Sequence, residues 1–164
     1  MLGGARSGKS RYAESLVMAL PSPWLYVATA EARDSEMAER VAVHQGRRGP
    51  NWTTVEAPRD IAGALAANAN TPALVDCLTL WLSNVLLADA DVDAEFEHLD
   101  GALARAAAPI VLVANEVRSG IVPDNALSRR FRDLQGLLNQ RIAARADRVF
   151  LVVAGLPLAL KESP

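Results

Sequence analysis

Residues 3–10 read GGARSGKS, the spacing G-x-x-x-x-G-K-[ST] of a phosphate-binding loop. A triphosphate carries many acceptor oxygens and needs many donors at close range. Gly3, Gly4 and Gly8 bring backbone N–H groups near it, with Ala5, Arg6 and Ser7 completing the turn between them. The N-terminus of the helix that follows adds more donors and a favourable dipole. Lys9 reaches the β- and γ-phosphates in this arrangement, and the Ser10 hydroxyl ligates Mg²⁺. The pattern predicts nucleotide binding over a chance Gly/Ser-rich helix start, and it leaves the acceptor open.

A magnesium site of this type takes a second oxygen from a neighbouring strand end. Asp76 closes the apolar run ALVD, where a metal-binding aspartate belongs. A strand-end aspartate can equally cap the next helix. Glu116 closes IVLVANE and is a second candidate, as ligand or as base.

These side chains need elements to carry them. Four short apolar runs read as strands buried on both faces: Trp24–Thr29, Ala73–Cys77, Ile110–Ala114 and Val149–Ala154. Between them, helical patterns cover Lys9–Ala19, Asp34–Gln45, Arg59–Ala67, Leu78–Leu87, Asp93–Ala107 and Asn125–Ala146. Strands alternating with helices predict an α/β fold with a mostly parallel sheet, here as one domain over 1–164. Only Met1 and Leu2 precede the loop, so the strand that should lead into it is truncated and a central sheet position loses its usual occupant.

Composition narrows the classes. The 164 residues carry a formal net charge of −2, which disfavours a general nucleic-acid binder. No apolar run approaches the ~20 residues of a membrane span, and no signal-peptide pattern opens the chain. The one cysteine, Cys77, excludes an internal disulfide and fits a reducing, cytoplasmic setting.

Seven segments then occur in order: GGARSGKSRYAE, YVATA, ERVAVHQGRR, VDCLTLWLSN, ANEVRSGIVPDN, RRFRDLQGLLNQRIA and FLVVAGLP. Together they resemble the bifunctional adenosylcobinamide kinase/adenosylcobinamide-phosphate guanylyltransferase family of cobalamin biosynthesis. The resemblance implies a P-loop NTPase-type α/β fold and a homotrimer. It implies phosphorylation of adenosylcobinamide by ATP or GTP. Transfer of GMP from GTP to adenosylcobinamide phosphate follows, through a histidine-GMP intermediate. The matching histidine is His44. Nucleotide contacts carry over to Gly3–Ser10, to Ala28, Thr29 and Ala30, to Gln45, Gly46, Arg47 and Arg48, and to Glu56 and Asp76. The family has a glycine after NEV where this chain has Arg118. At a left-handed position that change would cost ~1 kcal/mol.

The chemistry suits a histidine. A neutral imidazole can attack an α-phosphorus, release pyrophosphate and hold GMP as a phosphoramidate. Arg40, Arg47 and Arg48 lie about one helical turn from His44. Cations there favour the free base and balance triphosphate charge. Without the resemblance, His44 reads first as a surface residue on a basic helix end.

Other residues invite weaker readings. His98, in DAEFEHLD, reads as a solvated helix residue, and Cys77 as buried and inert. Trp24 and Trp81 read as core, while Trp52 could stack on a base or a corrin. The run RRFRD (129–133) reads as a solvated helix face or as a phosphate contact to a neighbouring subunit. Two rival functions remain: a small-molecule kinase with His44 idle, and a nucleotide-binding protein without turnover.

Overall fold

The computed structural model describes residues 1–31, 49–117 and 120–162. The predicted helix Asp34–Gln45 therefore lies outside the described residues, as do Arg40 and Arg118. The apolar runs become neighbouring strands. β2 (Trp24–Ala28), β4 (Ala73–Asp76) and β5 (Ile110–Asn115) sit side by side. β6 (Arg148–Val153) is the fourth run. Three strands extend the predicted set: β1 (Leu2–Gly3), β3 (Trp52–Glu56) and β7 (Leu156–Glu162). The sheet order is β3-β2-β4-β5-β1-β6-β7, with every pair parallel except β6–β7.

The central position is thus not empty. Leu2 lies opposite Ala114 and Leu151, and Gly3 opposite Asn115 and Val152. Two residues suffice because β5 and β6 hold them from both sides. The Ala114 N–H donates to Met1 O at 2.9 Å and the Glu116 N–H to Gly3 O at 3.1 Å. Beside Met1 and Leu2 lies a cavity of about 430 Å³. Ile110–Leu112 and Arg148–Phe150 flank it, and Leu16 and Ile142 line it too. The α-amino group of Met1 donates to Leu112 O at 2.8 Å. Its burial lowers the ammonium pKa from 8.0 to about 6.

Five helices lie among the described residues: α1 (Lys9–Met18), α2 (Ile61–Ala67), α3 (Leu78–Leu87), α4 (Val92–Arg105) and α5 (Ala126–Arg145). α1 packs Ala13 and Val17 on Tyr26, Leu74 and Val113 of one sheet face. The opposite face buries Leu25, Val27 and Val75 against α2, α3 and α4, with Trp81 at its centre, 1 % exposed. Trp81 Nε1 donates to Arg59 O at 2.7 Å, so the core reading of this indole holds. Trp24 and Trp52 are half-buried and pack on each other with ring centroids 5.4 Å apart.

Side-chain caps set several helix starts. Asp60 accepts from Gly63 N, Asp91 from Asp93 and Ala94 N, and Asn125 from Ser128 N. α1 starts at Gly8 with no side-chain cap, a difference that matters at the site. None of the described helices is long and apolar enough to cross a membrane.

Candidate active site

Six strands run parallel, so their carboxyl ends share one edge of the sheet. In open α/β sheets this edge is where ligands bind. β1 delivers the loop Gly3–Ser10 there, β2 delivers Ala28–Ala30, and β3 delivers Glu56. β4 delivers Asp76, and β5 delivers Asn115 and Glu116. The sequence motifs, scattered over more than a hundred residues, converge because each follows a parallel strand.

Register also fixes the face. Ala28 pairs with Asp76, and Asp76 with Val113. Side chains alternate between faces along a strand, so Asp76 shares a face with Tyr26, Leu74 and Val113. That face carries α1, whose first residues are Lys9 and Ser10. The Tyr26 hydroxyl donates to Asp76 Oδ2 at 3.0 Å and restrains the carboxylate. The Cys77 thiol registers both charges: its pKa rises to about 11, first from burial and then from negative Asp76, while positive Lys9 opposes the rise.

The loop has the shape its glycines permit. Gly8 has φ +93° and is the N-cap of α1, a backbone region that side chains rarely adopt. A Cβ on Gly3 would lie 2.6 Å from Val152 O and from Ser7 Oγ, so only glycine fits beside β6. Lys9 is 8 % exposed, and its Nζ donates to Gly4 O at 3.1 Å, which keeps the ammonium inside the loop. With no side chain capping α1, its first N–H groups remain available to an anion.

The remaining predicted residues divide by exposure. Glu56 is exposed at its strand end, while Ala28 and Ala30 are half-buried beside Asp76. Thr29 is fully buried. Its Oγ1 donates to Cys77 O at 2.8 Å and accepts from Cys77 N at 2.7 Å, joining the ends of β2 and β4. Asn84 Nδ2 donates to Thr29 O and to Pro58 O, tying α3 to the same junction. Glu116 is half-buried beside Gly3, next to Asn115 N, which donates to Thr79 Oγ1 at 2.7 Å. His98 is exposed on α4. His44, Gln45, Gly46, Arg47 and Arg48 lie outside the described residues.

Ser10 and Asp76 supply oxygen donors, the kind magnesium takes together with water and phosphate oxygens. Among the described residues no group of three or more His, Cys, Asp or Glu could hold a metal. A site completed by phosphate needs no such group, so this donor pair fits. Sequence reasoning did not find Tyr26, Thr79 or Asn84. The detectable signal was a polar side chain inside an otherwise apolar run.

The family described as "Cobinamide kinase / cobinamide phosphate guanyltransferase" matches residues 1–160. The chain is 48 % identical to the "Bifunctional adenosylcobalamin biosynthesis protein CobP" of Pseudomonas aeruginosa over 168 residues, spanning 100 % of this chain and 97 % of that one. Against the corresponding CobU protein of Salmonella typhimurium it is 40 % identical over 176 residues, spanning 97 % of each. In fold it is similar to a prototypical ATPase from the type III secretion system of pathogenic bacteria. That likeness has a TM-score of 0.54 and 16 % identity, and spans 96 % of this chain and 55 % of the ATPase. A phosphate loop and a strand-end aspartate on one face, with relatives this similar over nearly their whole length, lead to one conclusion: the chain belongs to the cobinamide kinase / cobinamide phosphate guanyltransferase family.

Proposed function

We propose that this chain performs both reactions of its family at the carboxyl edge of the sheet, as one 1–164 unit. In the first, the phosphate loop binds ATP or GTP and a hydroxyl of adenosylcobinamide attacks the γ-phosphorus: the new P–O bond forms, the bond to the β–γ bridging oxygen breaks, ADP or GDP leaves, and the hydroxyl proton passes to solvent. Lys9 neutralises charge on the β- and γ-phosphates, and the loop N–H groups hold them in place. Mg²⁺ held by Ser10 and Asp76 would supply further charge neutralisation across the phosphates.

In the second reaction His44 attacks the α-phosphorus of GTP. A P–N bond forms, the bond to the bridging oxygen breaks, and pyrophosphate leaves. An oxygen of adenosylcobinamide phosphate then attacks the same phosphorus. The P–N bond breaks, the imidazole is regenerated, and adenosylcobinamide-GDP is the product. Ala28–Ala30, Gln45–Arg48 and Glu56 contribute to the nucleotide site. A homotrimer and a cytoplasmic setting accompany this reading.

The observation that carries the proposal is the register placing Asp76 on the α1 face, where the loop delivers Lys9 and Ser10. The test is covalent labelling. GTP labelled at the α-phosphate should label the protein, and GTP labelled only at the γ-phosphate should not give that adduct. The adduct should be lost in acid and survive base. His44→Ala should abolish the label and guanylyl transfer and leave adenosylcobinamide phosphorylation in place. Label persisting on folded His44→Ala would assign the intermediate to another residue.

A further inference from the structure

A phosphate loop works only if its peptide units are held in the orientation that aims N–H groups inward. The strand leading into the loop is Leu2–Gly3. Beyond its pairing with β5 and β6, the loop is supported by the turn that follows β6. β6 ends at Val153, and the chain reverses through Ala154 at φ 52° and Gly155 at φ 80° before β7. Two successive left-handed residues make the tight hairpin turn that matches strand twist.

That turn rests on the loop. The Gly155 N–H donates to Ser7 O at 2.8 Å. A Cβ on Gly8 would lie 3.2 Å from Gly155 Cα and 4.0 Å from Val152 Cγ1. Around Gly155 itself the space is open, so its positive φ is what favours glycine there. In a planar trans peptide the C=O and N–H point in opposite directions. Directing the Ser7 carbonyl outward onto Gly155 therefore turns the Gly8 N–H inward, toward the side where phosphate oxygens bind.

We propose that the β6–β7 turn, through Gly155, is a positioning element for the nucleotide: its N–H holds the Ser7–Gly8 peptide in the phosphate-binding orientation. This deepens the reading of Gly3–Ser10 as the nucleotide site and rests on it. The turn and the nucleotide are then energetically coupled, each stabilising the same peptide orientation. Gly155 acts through the Ser7–Gly8 peptide, so its loss acts on binding more than on the chemical step.

The test compares Gly155→Ala, Gly155→Asn and Lys9→Ala, with binding measured by titration of GTP and turnover by adenosylcobinamide phosphorylation. Gly155→Ala should raise the nucleotide KM about tenfold and leave kcat within about threefold. Gly155→Asn, which accepts a left-handed φ, should recover most of that loss. A purely structural role would lower the melting temperature and leave the KM of the folded protein unchanged, which would overturn the proposal. A second measurement needs no variant. Saturating GTP should slow amide exchange at Gly155 in the unaltered protein by fivefold or more, and an unchanged exchange rate would also overturn it. Should Gly155→Ala fail to fold, exchange decides alone. Lys9→Ala separates the two levels: if it binds GTP normally, the loop is not the nucleotide site and the reading beneath the proposal fails. If Lys9→Ala loses GTP and Gly155→Ala keeps it, only the positioning role fails.

Discussion

The phenol of Tyr26 donates to Asp76 Oδ2 at 3.0 Å, across the β2–β4 ladder and on the face that carries α1. It restrains one oxygen of the carboxylate proposed to hold the divalent cation. Tyr26→Phe removes only the hydroxyl. Loss of an outer hydrogen bond of this kind weakens metal binding by about tenfold or more. Mn²⁺ titrated against the GTP-bound protein, followed by its paramagnetic resonance, measures this without turnover. Equal Mn²⁺ affinity in folded Tyr26→Phe would show that the phenol does not prepare Asp76 for a metal.

Lys9→Ala tests the loop directly. The fold should survive, since among the described residues the side chain's one hydrogen bond is to Gly4 O and its loss costs about 1 kcal/mol. Kinase turnover should fall by about a hundredfold or more, as removal of a preorganised charge does. A normal kinase rate in the folded variant would place the donor nucleotide elsewhere.

The buried Met1 amine gives a pH dependence of known sign. Its pKa is 8.0 in the unfolded chain and about 6 in the fold. Between those values the unfolded state binds more protons, so stability rises with pH from 6 to 8 and this contribution is flat on either side. Two units correspond to about 2–3 kcal/mol. Placing three apolar residues before Met1 converts the amine to an amide and lets the new strand enter the cavity between β5 and β6. That protein should melt higher and lose this part of the pH slope. A Gly-Ser-Gly extension should lose the slope with a smaller gain in melting temperature. Identical melting curves for all three proteins would contradict the cavity argument.

The Cys77 thiol, pushed up to about 11 by burial and by Asp76, should be inert in the native protein. At pH 8 its thiolate fraction is about a hundredfold below that of a thiol with the ordinary value. Disulfide reagents should modify it only after denaturant is added. Rapid native labelling would mean that the β4–α3 junction opens easily.

What the sequence disclosed followed burial. β2, β4, β5 and β6 were legible because their apolar runs are short and nearly continuous. α3 was found with its observed limits, Leu78–Leu87. β3 and β7 were missed because they are the sheet edges, and edges need not be apolar on both faces: WTTVE is largely exposed, and LPLALKE more so. β1 could not be read from two residues, since it is a strand only by virtue of its neighbours. The loop and Asp76 were legible from spacing and strand-end position. The Thr29–Cys77 and Gly155–Ser7 contacts were not, because they join residues 48 and 148 positions apart.

The strand order carries a consequence for synthesis. β1 is made before β5 and β6, the two strands that hold it. At 5–20 residues per second, the ribosome takes on the order of ten seconds to reach β6 after making the glycine-rich loop. Throughout that interval the loop lacks at least one of its two flanking strands, and it lacks the Gly155 turn. The loop proposed to bind nucleotide is therefore made well before the strands and the turn that hold its shape, and it becomes competent only when they have joined it.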